Sequence, residues 1–116
     1  MRLKQKDEMN NANDINELIQ NVLQWGIDKN ITGPDSKGIR YGQADKMLEE
    51  ANETYCAVRR DDLMEIKDGI GDTVVTLILL AEMYGWTLEE CLQHAYNVIA
   101  KRTGQMVDGV FVKDAK

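Results

Sequence analysis

Several things are scarce in this chain, and each scarcity excludes something. The 116 residues contain one proline, one histidine, one phenylalanine and two cysteines. With His94 alone, no Cys/His metal spacing exists, and no Walker-type glycine loop, internal repeat or low-complexity stretch is present. The longest apolar run, Thr73 to Ala81, is bracketed by Asp72 and Glu82 and falls far short of the ~20 residues that cross a bilayer. No secretion or membrane signal is legible, so no membrane partner is expected. Positive charge is outnumbered, and the net charge of −6 argues against a nucleic-acid polymer or an anionic membrane as partner. It leaves open an anionic small molecule that arrives bound to a cation. Cys56 and Cys91 lie in predicted helices and read as buried thiols of a reducing cytoplasm rather than a disulfide.

What is present points to helices. The length suits one domain with a modest core. Residues 1–12 are polar and unpatterned and read as a flexible lead-in to a single helical domain over 13–116. Ile15, Leu18, Ile19 and Val22 recur at helical spacing, predicting a first helix over about 13–29 with Trp25 toward its end. Residues 31–40 hold the only proline and two glycines and read as an irregular, mobile connection. A second helix over about 41–59 turns Ala44, Met47, Leu48, Ala51, Tyr55 and Val58 inward. Asp61 and Asp62 start a third, over about 62–84, with Leu63, Ile66, Ile70, Val74, Leu77, Ile78 and Ala81 as core. Beyond Asp72 this helix is apolar nearly all round, which calls for burial on every side and hence for self-association. Thr87-Leu-Glu-Glu90 is a capping box opening a fourth helix to about Lys101, and Asp108-Gly109 between alternating apolar residues is a hairpin signal.

Two acidic stretches organise the rest. Glu49, Glu50 and Glu53 lie three or four apart on the second helix, and Asp68 and Asp72 four apart on the third. At that spacing side chains share a face and like charges repel. If the helices form an antiparallel hairpin, up to five carboxylates gather, and an all-oxygen cluster of this charge suits a hard cation, Mg2+ or Mn2+. The bland alternative is a solvated acidic face, with Lys46 simply offsetting Glu49 and Glu50. Gly69 and Gly71 interrupt the helix beside the acids at a cost of ~1 kcal/mol each, which suggests close approach of another backbone or a ligand.

Lys46-Met-Leu-Glu-Glu-Ala-Asn-Glu53, followed by Ile66-Lys-Asp-Gly-Ile-Gly-Asp72 before an apolar helix, resembles the MazG-like all-α nucleoside triphosphate pyrophosphohydrolases. The tail from Tyr96 to Lys113 is similar to small single-domain members often found in phages. The resemblance implies an all-α four-helix bundle, here with a small C-terminal β-hairpin and assembled as a homodimer or tetramer. It further implies Mg2+ (Mn2+ as substitute) held by Glu50, Glu53 and Asp72 with Asp68 and Glu49 beside them, in the cytoplasm (the host's, if phage-encoded). The implied reaction splits a (deoxy)nucleoside triphosphate between the α and β phosphorus into a monophosphate and pyrophosphate. Asn97, Lys101 and Arg102 on the last helix, Lys46, and Trp25 as a base-stacking surface are the implied substrate contacts. Gly69 departs from the pattern, standing where the broader family carries a further glutamate. A second expectation follows from that departure: a non-enzymatic helical interaction module that keeps the acidic scaffold.

Overall fold

The computed structural model describes residues 14–115. It contains α1 (Ile15–Asp28), α2 (Arg40–Arg60), α3 (Leu63–Met83), α4 (Leu88–Ile99), β1 (Gly104–Val107) and β2 (Val110–Lys113). The lead-in expected over 1–12 lies outside the described residues. Helix starts follow the polar residues singled out above. The Asp14 carboxylate accepts from the Glu17 amide at 2.9 Å, and Asp62 accepts from Glu65 at 3.2 Å. The Thr87–Glu90 capping box closes in both directions, at 2.8 and 3.0 Å. Only Asp61 and Asp62 separate α2 from α3, and Asp61 takes the left-handed conformation (φ 57°), so the chain reverses at once into an antiparallel helical hairpin.

That hairpin has an unusual seam. On α2 the inward positions are Gln43, Met47, Glu50, Thr54 and Ala57, and on α3 they include Ile66, Gly69, Thr73 and Thr76. Small and polar residues, rather than leucines, therefore set the helix spacing. The threonine hydroxyls are satisfied by their own helices: Thr54 donates to the Glu50 carbonyl at 2.8 Å, Thr73 to Gly69 at 2.7 Å and Thr76 to Thr73 at 2.6 Å. Gln43 reaches across to the Thr76 carbonyl at 3.2 Å. α1 packs on the far part of α3, where a side chain at Gly26 would meet Leu79 Cδ2 at 2.6 Å. Glycine is what lets the two helices approach there.

The segment expected to be a mobile connection is tied down. Ile31 donates to the Gly26 carbonyl at 2.9 Å, Lys37 to Asn30 at 2.8 Å, and the Ser36 hydroxyl to Ile31 at 2.7 Å, while Thr32 is buried. Arg40 then closes the loop against the end of α3, donating to the Met83 carbonyl through Nε and Nη2 at 3.3 and 3.2 Å. At the other terminus Asp108 (φ 51°) and Gly109 (φ 86°) form the two-residue turn of an antiparallel ribbon pairing Met106 with Phe111 and Val107 with Val110.

Three expectations need correction. The helices do not close a four-helix bundle within one chain: α1, α2 and α4 each pack on α3, and none of the three packs on another. The cause is the third helix, whose apolar surface runs nearly all the way round and gives every neighbour a place on it. The core is accordingly small, comprising Ile19, Ala57, Ile78, Leu79 and Ala81. Leu63, Ile70, Val74, Leu77, Leu48, Tyr55 and Val58, expected inside, are exposed in the single chain. Cys56 is also exposed rather than buried, because it lies on the side of α2 away from α3, and Cys91 is half-buried. No helix among the described residues is long and apolar enough to cross a membrane.

Candidate functional site

The position of the acids follows from the seam. Thr54 lies against Gly69 and Gln43 against Thr76, so Glu50 to Glu53 stand level with Gly69 to Thr73. Counting about 100° per residue from the seam positions Glu50 and Gly69 puts Glu49 and Glu53 on one flank of α2 and Asp68 and Asp72 on one flank of α3. Because the helices run in opposite directions, those two flanks are the same side of the hairpin. All five carboxylates therefore share one surface.

They share it unequally. The Glu50 side chain is 14% exposed, against 57% for Glu49, and Lys46 bridges the two, with Nζ 3.5 Å from Glu49 Oε1 and 3.4 Å from Glu50 Oε2. The neighbouring carboxylates, Glu49 foremost and then Glu50, hold the Lys46 amine above its ordinary 10.5. Glu53, Asp68 and Asp72 form no ion pair with another described residue. Among the described residues no three acidic, His or Cys side chains are drawn close enough to hold a metal ion as they stand. The donors are nonetheless all oxygen, with one enclosed carboxylate and four accessible ones, and that chemistry fits a hard divalent cation rather than a soft one.

Gly69 now has a physical account. A Cβ there would clash with the Thr54 hydroxyl and lie 3.0 and 3.2 Å from Thr54 Cβ and Cα, so the close approach of α2 excludes any side chain. Gly71 has no such reason, since a Cβ there meets nothing within 4 Å.

The expected substrate contacts are scattered. Trp25, at the end of α1, is 45% exposed rather than a core residue, and its neighbour Gly26 rests on Leu79, two turns of α3 beyond Asp72. Asn97 accepts from Gln93 Nε2 at 2.9 Å on the exposed side of α4. Lys101 and Arg102 follow α4, both exposed and without an ion pair to a described residue. α4 packs on α3, and its backbone makes no close contact with α2. One cluster was missed in the sequence: Arg40 lies 4.4 Å from the Tyr84 ring centroid, and Tyr84 stacks on Trp86 at 5.5 Å. A cavity of about 430 Å³ opens beside Trp86, lined also by Glu90, Cys91 and His94. The Tyr84-Gly85-Trp86 triplet, with Gly85 in a positive-φ turn, was the available signal.

The pattern of the MazG nucleotide pyrophosphohydrolase domain matches residues 43–107, more than half of the chain and inclusive of Glu49, Glu50, Glu53, Asp68 and Asp72. A relative, the uncharacterized 18.2 kDa protein in the rep-hol intergenic region of Haemophilus phage HP1 (strain HP1c1), is 36% identical over 69 residues. That alignment spans 60% of this chain and 40% of the phage protein, so the chain answers to less than half of its relative's length. No solved structure matches. With the matched segment holding both acidic motifs and all but the start of the two helices that carry them, the chain belongs to the MazG nucleotide pyrophosphohydrolase domain family.

Proposed function

We propose that this protein is a Mg2+-dependent pyrophosphohydrolase that converts a (deoxy)nucleoside triphosphate into the monophosphate and pyrophosphate in the cytoplasm. The observation that carries the reading is the family match over residues 43–107, supported by the helical spacing that puts Glu49, Glu50, Glu53, Asp68 and Asp72 toward one side of the α2–α3 hairpin. Glu50, Glu53 and Asp72 would hold the cation, with Asp68 and Glu49 beside them, and Mn2+ would substitute. A bound divalent cation supplies neutralisation of the phosphate charge. One of the carboxylates takes the proton of the attacking water as general base. Arg102, ahead of Lys101, opposes the charge that builds on the departing pyrophosphate, because a guanidinium grips phosphate with two parallel hydrogen bonds. Asn97 supports that contact, and Trp25 offers its exposed ring to the base. Lys46, which bridges Glu49 and Glu50, would contact phosphate once those carboxylates held a cation.

The exposed apolar residues of α2 and α3 complete the proposal. Leu48, Tyr55, Val58, Ile70, Val74 and Leu77 leave more apolar surface in water than a monomer of this size ordinarily does, and a homodimer or tetramer covers it. One observation favours a second reading, a non-enzymatic interaction module. The Gly69–Thr54 contact shuts out any side chain where, by the resemblance drawn from the sequence, a further glutamate stands. Pyrophosphate release from a panel of ribo- and deoxyribonucleoside triphosphates, with and without Mg2+, separates the two. The enzyme reading expects release that needs the cation, and release no greater than the blank refutes it.

A further inference from the structure

Lys46 stands inside the acidic surface rather than at its margin. With about 100° of turn per residue and Glu50 as origin, Lys46 falls about 40° round α2, Glu53 about 60° and Glu49 about 100°, all in the same sense. In projection the lysine therefore lies among the three glutamates. Its ammonium reaches two of them at once, 3.5 Å from Glu49 Oε1 and 3.4 Å from Glu50 Oε2.

The two ends of that bridge are not equivalent. The Glu49 side chain is 57% exposed, and water serves its charge nearly as well as the lysine does. The Glu50 side chain is 14% exposed, set on the seam against α3, and an enclosed carboxylate depends far more on a positive partner. Lys46 is thus seated chiefly on Glu50, the one enclosed acid of the five. Those oxygens are also wanted by the proposed metal ion. Lys46 has to give them up first, because an ammonium and a divalent ion on one carboxylate repel each other at contact distance. The lysine is able to leave: its side chain is 53% exposed, and a point charge on a flexible four-carbon stem swings without moving the helix. Once away from Glu50 it needs a new anion, and the phosphates of a bound nucleotide supply one.

We infer that Lys46 is the counter-ion that a metal ion replaces at Glu50, and that the nucleotide's phosphates draw it off. Cation and triphosphate then favour each other's binding through this one side chain. The inference rests on the function proposed above and adds an order to it: the site takes the ion poorly alone and well together with the nucleotide. Linkage makes the gain reciprocal, the same factor appearing in both affinities. Part of that factor comes from direct contact between ion and phosphate; the part carried by Lys46 is what its variants remove. A lysine that only relieves repulsion among the acids would exchange nothing.

The test measures two affinities of the full chain, with circular dichroism confirming that each variant is folded. Mn2+ alone is titrated and followed by the electron paramagnetic resonance of the free ion. The Mg2+ complex of a non-hydrolysable α,β-methylene nucleoside triphosphate is titrated by calorimetry. Lys46→Met, or Lys46→Gln if the first does not fold, binds Mn2+ roughly tenfold tighter than wild type and the nucleotide complex roughly tenfold weaker, the scale of one charge-assisted contact. Lys46→Arg, which keeps a charge on the same acids, binds Mn2+ no tighter than wild type. Lys67→Met is the control for net charge, since Lys67 adjoins Asp68 in sequence but projects about 100° away from it on α3. It shifts the Mn2+ affinity less than about twofold, as expected of an exposed charge. Equal Mn2+ affinities for wild type and Lys46→Met, a matching shift in Lys67→Met, or an unweakened nucleotide complex in Lys46→Met each overturn the inference and leave the proposed function standing. No Mn2+ binding by any of the chains overturns the proposed metal site itself, and the inference with it.

Discussion

Gly69 and Gly71 sit two residues apart on the same helix, and the structure gives them opposite responses to one methyl group. Replacing glycine by alanine inside a helix gains about 1 kcal/mol from backbone entropy alone. At position 71 nothing stands within 4 Å of the new Cβ and the backbone is already helical, so Gly71→Ala keeps the whole gain. For a chain of 116 residues that is a rise in melting temperature of about 4 °C. At position 69 the same methyl runs into the Thr54 side chain and backbone, and forcing extra volume into a packed contact costs about 1–3 kcal/mol. The net for Gly69→Ala is a loss of up to about 2 kcal/mol, or a fall of up to about 8 °C. Thermal melts followed by circular dichroism, at one fixed protein concentration because subunit association shifts the midpoint, measure both variants. In a Thr54→Ala background the cost of Gly69→Ala shrinks, with a coupling of at least about 0.5 kcal/mol in the double-mutant cycle. If Gly69→Ala stabilises as much as Gly71→Ala, the close seam between α2 and α3 is wrong, and with it the level at which the acids stand.

The remaining expectations are briefer. Mg2+ at a hundredfold excess over its dissociation constant raises the melting temperature by about 10 °C, and Glu53→Gln abolishes the rise, as scanning calorimetry with and without the ion will register. Arg102→Ala lowers kcat roughly 10- to 100-fold with the fold intact. Trp25→Ala instead raises KM roughly tenfold. Lower melting temperatures with unchanged kinetics in both variants would make these two residues structural. Equilibrium sedimentation at micromolar concentration gives a species larger than 13.2 kDa, and a monomer alone removes the assembly argument. The Lys46 amine, held above 10.5 by Glu49 and Glu50, stabilises the fold while charged, and that contribution is lost as pH climbs through its raised value. Denaturant titrations above pH 10.5 should therefore show stability falling with pH for wild type and a shallower slope for Lys46→Met.

The order of elements was legible because each boundary has a local chemical cause. Asp14, Asp62 and Thr87 stop or start helices with their own side chains, and Asp108-Gly109 supplies two positive φ angles in succession. The hairpin of α2 and α3 was legible as well, since only Asp61 and Asp62 separate the two helices. What could not be read was burial. Periodicity marks which residues avoid water, not what covers them, so Ile70 and Leu48 look identical to Leu79 in sequence although only Leu79 is inside. The anchored loop was hidden for a related reason: its order comes from Arg40 meeting the Met83 carbonyl forty-three residues away, a contact no local pattern announces. Gly69 was correctly marked as a place of close approach, whereas Gly71, marked on the same ground, approaches nothing.

The threonine- and glycine-lined seam has a further consequence for ion choice. Acids on two helices grip a common ion only if the helix axes stand at the right separation, and here that separation is fixed by backbone against a single hydroxyl-bearing side chain rather than by compliant leucines. Mg2+ demands oxygens at about 2.0–2.1 Å in a strict octahedron, whereas Ca2+ accepts about 2.3–2.6 Å and looser geometry. The difference of a few tenths of an ångström is the scale on which a stiff spacer differs from a yielding one. On the metal site proposed above, Thr54 and Gly69 would act as the gauge of a calliper whose jaws are Glu53 and Asp72. Enlarging the gauge by one methyl group would then loosen the preference for the smaller ion along with the fold.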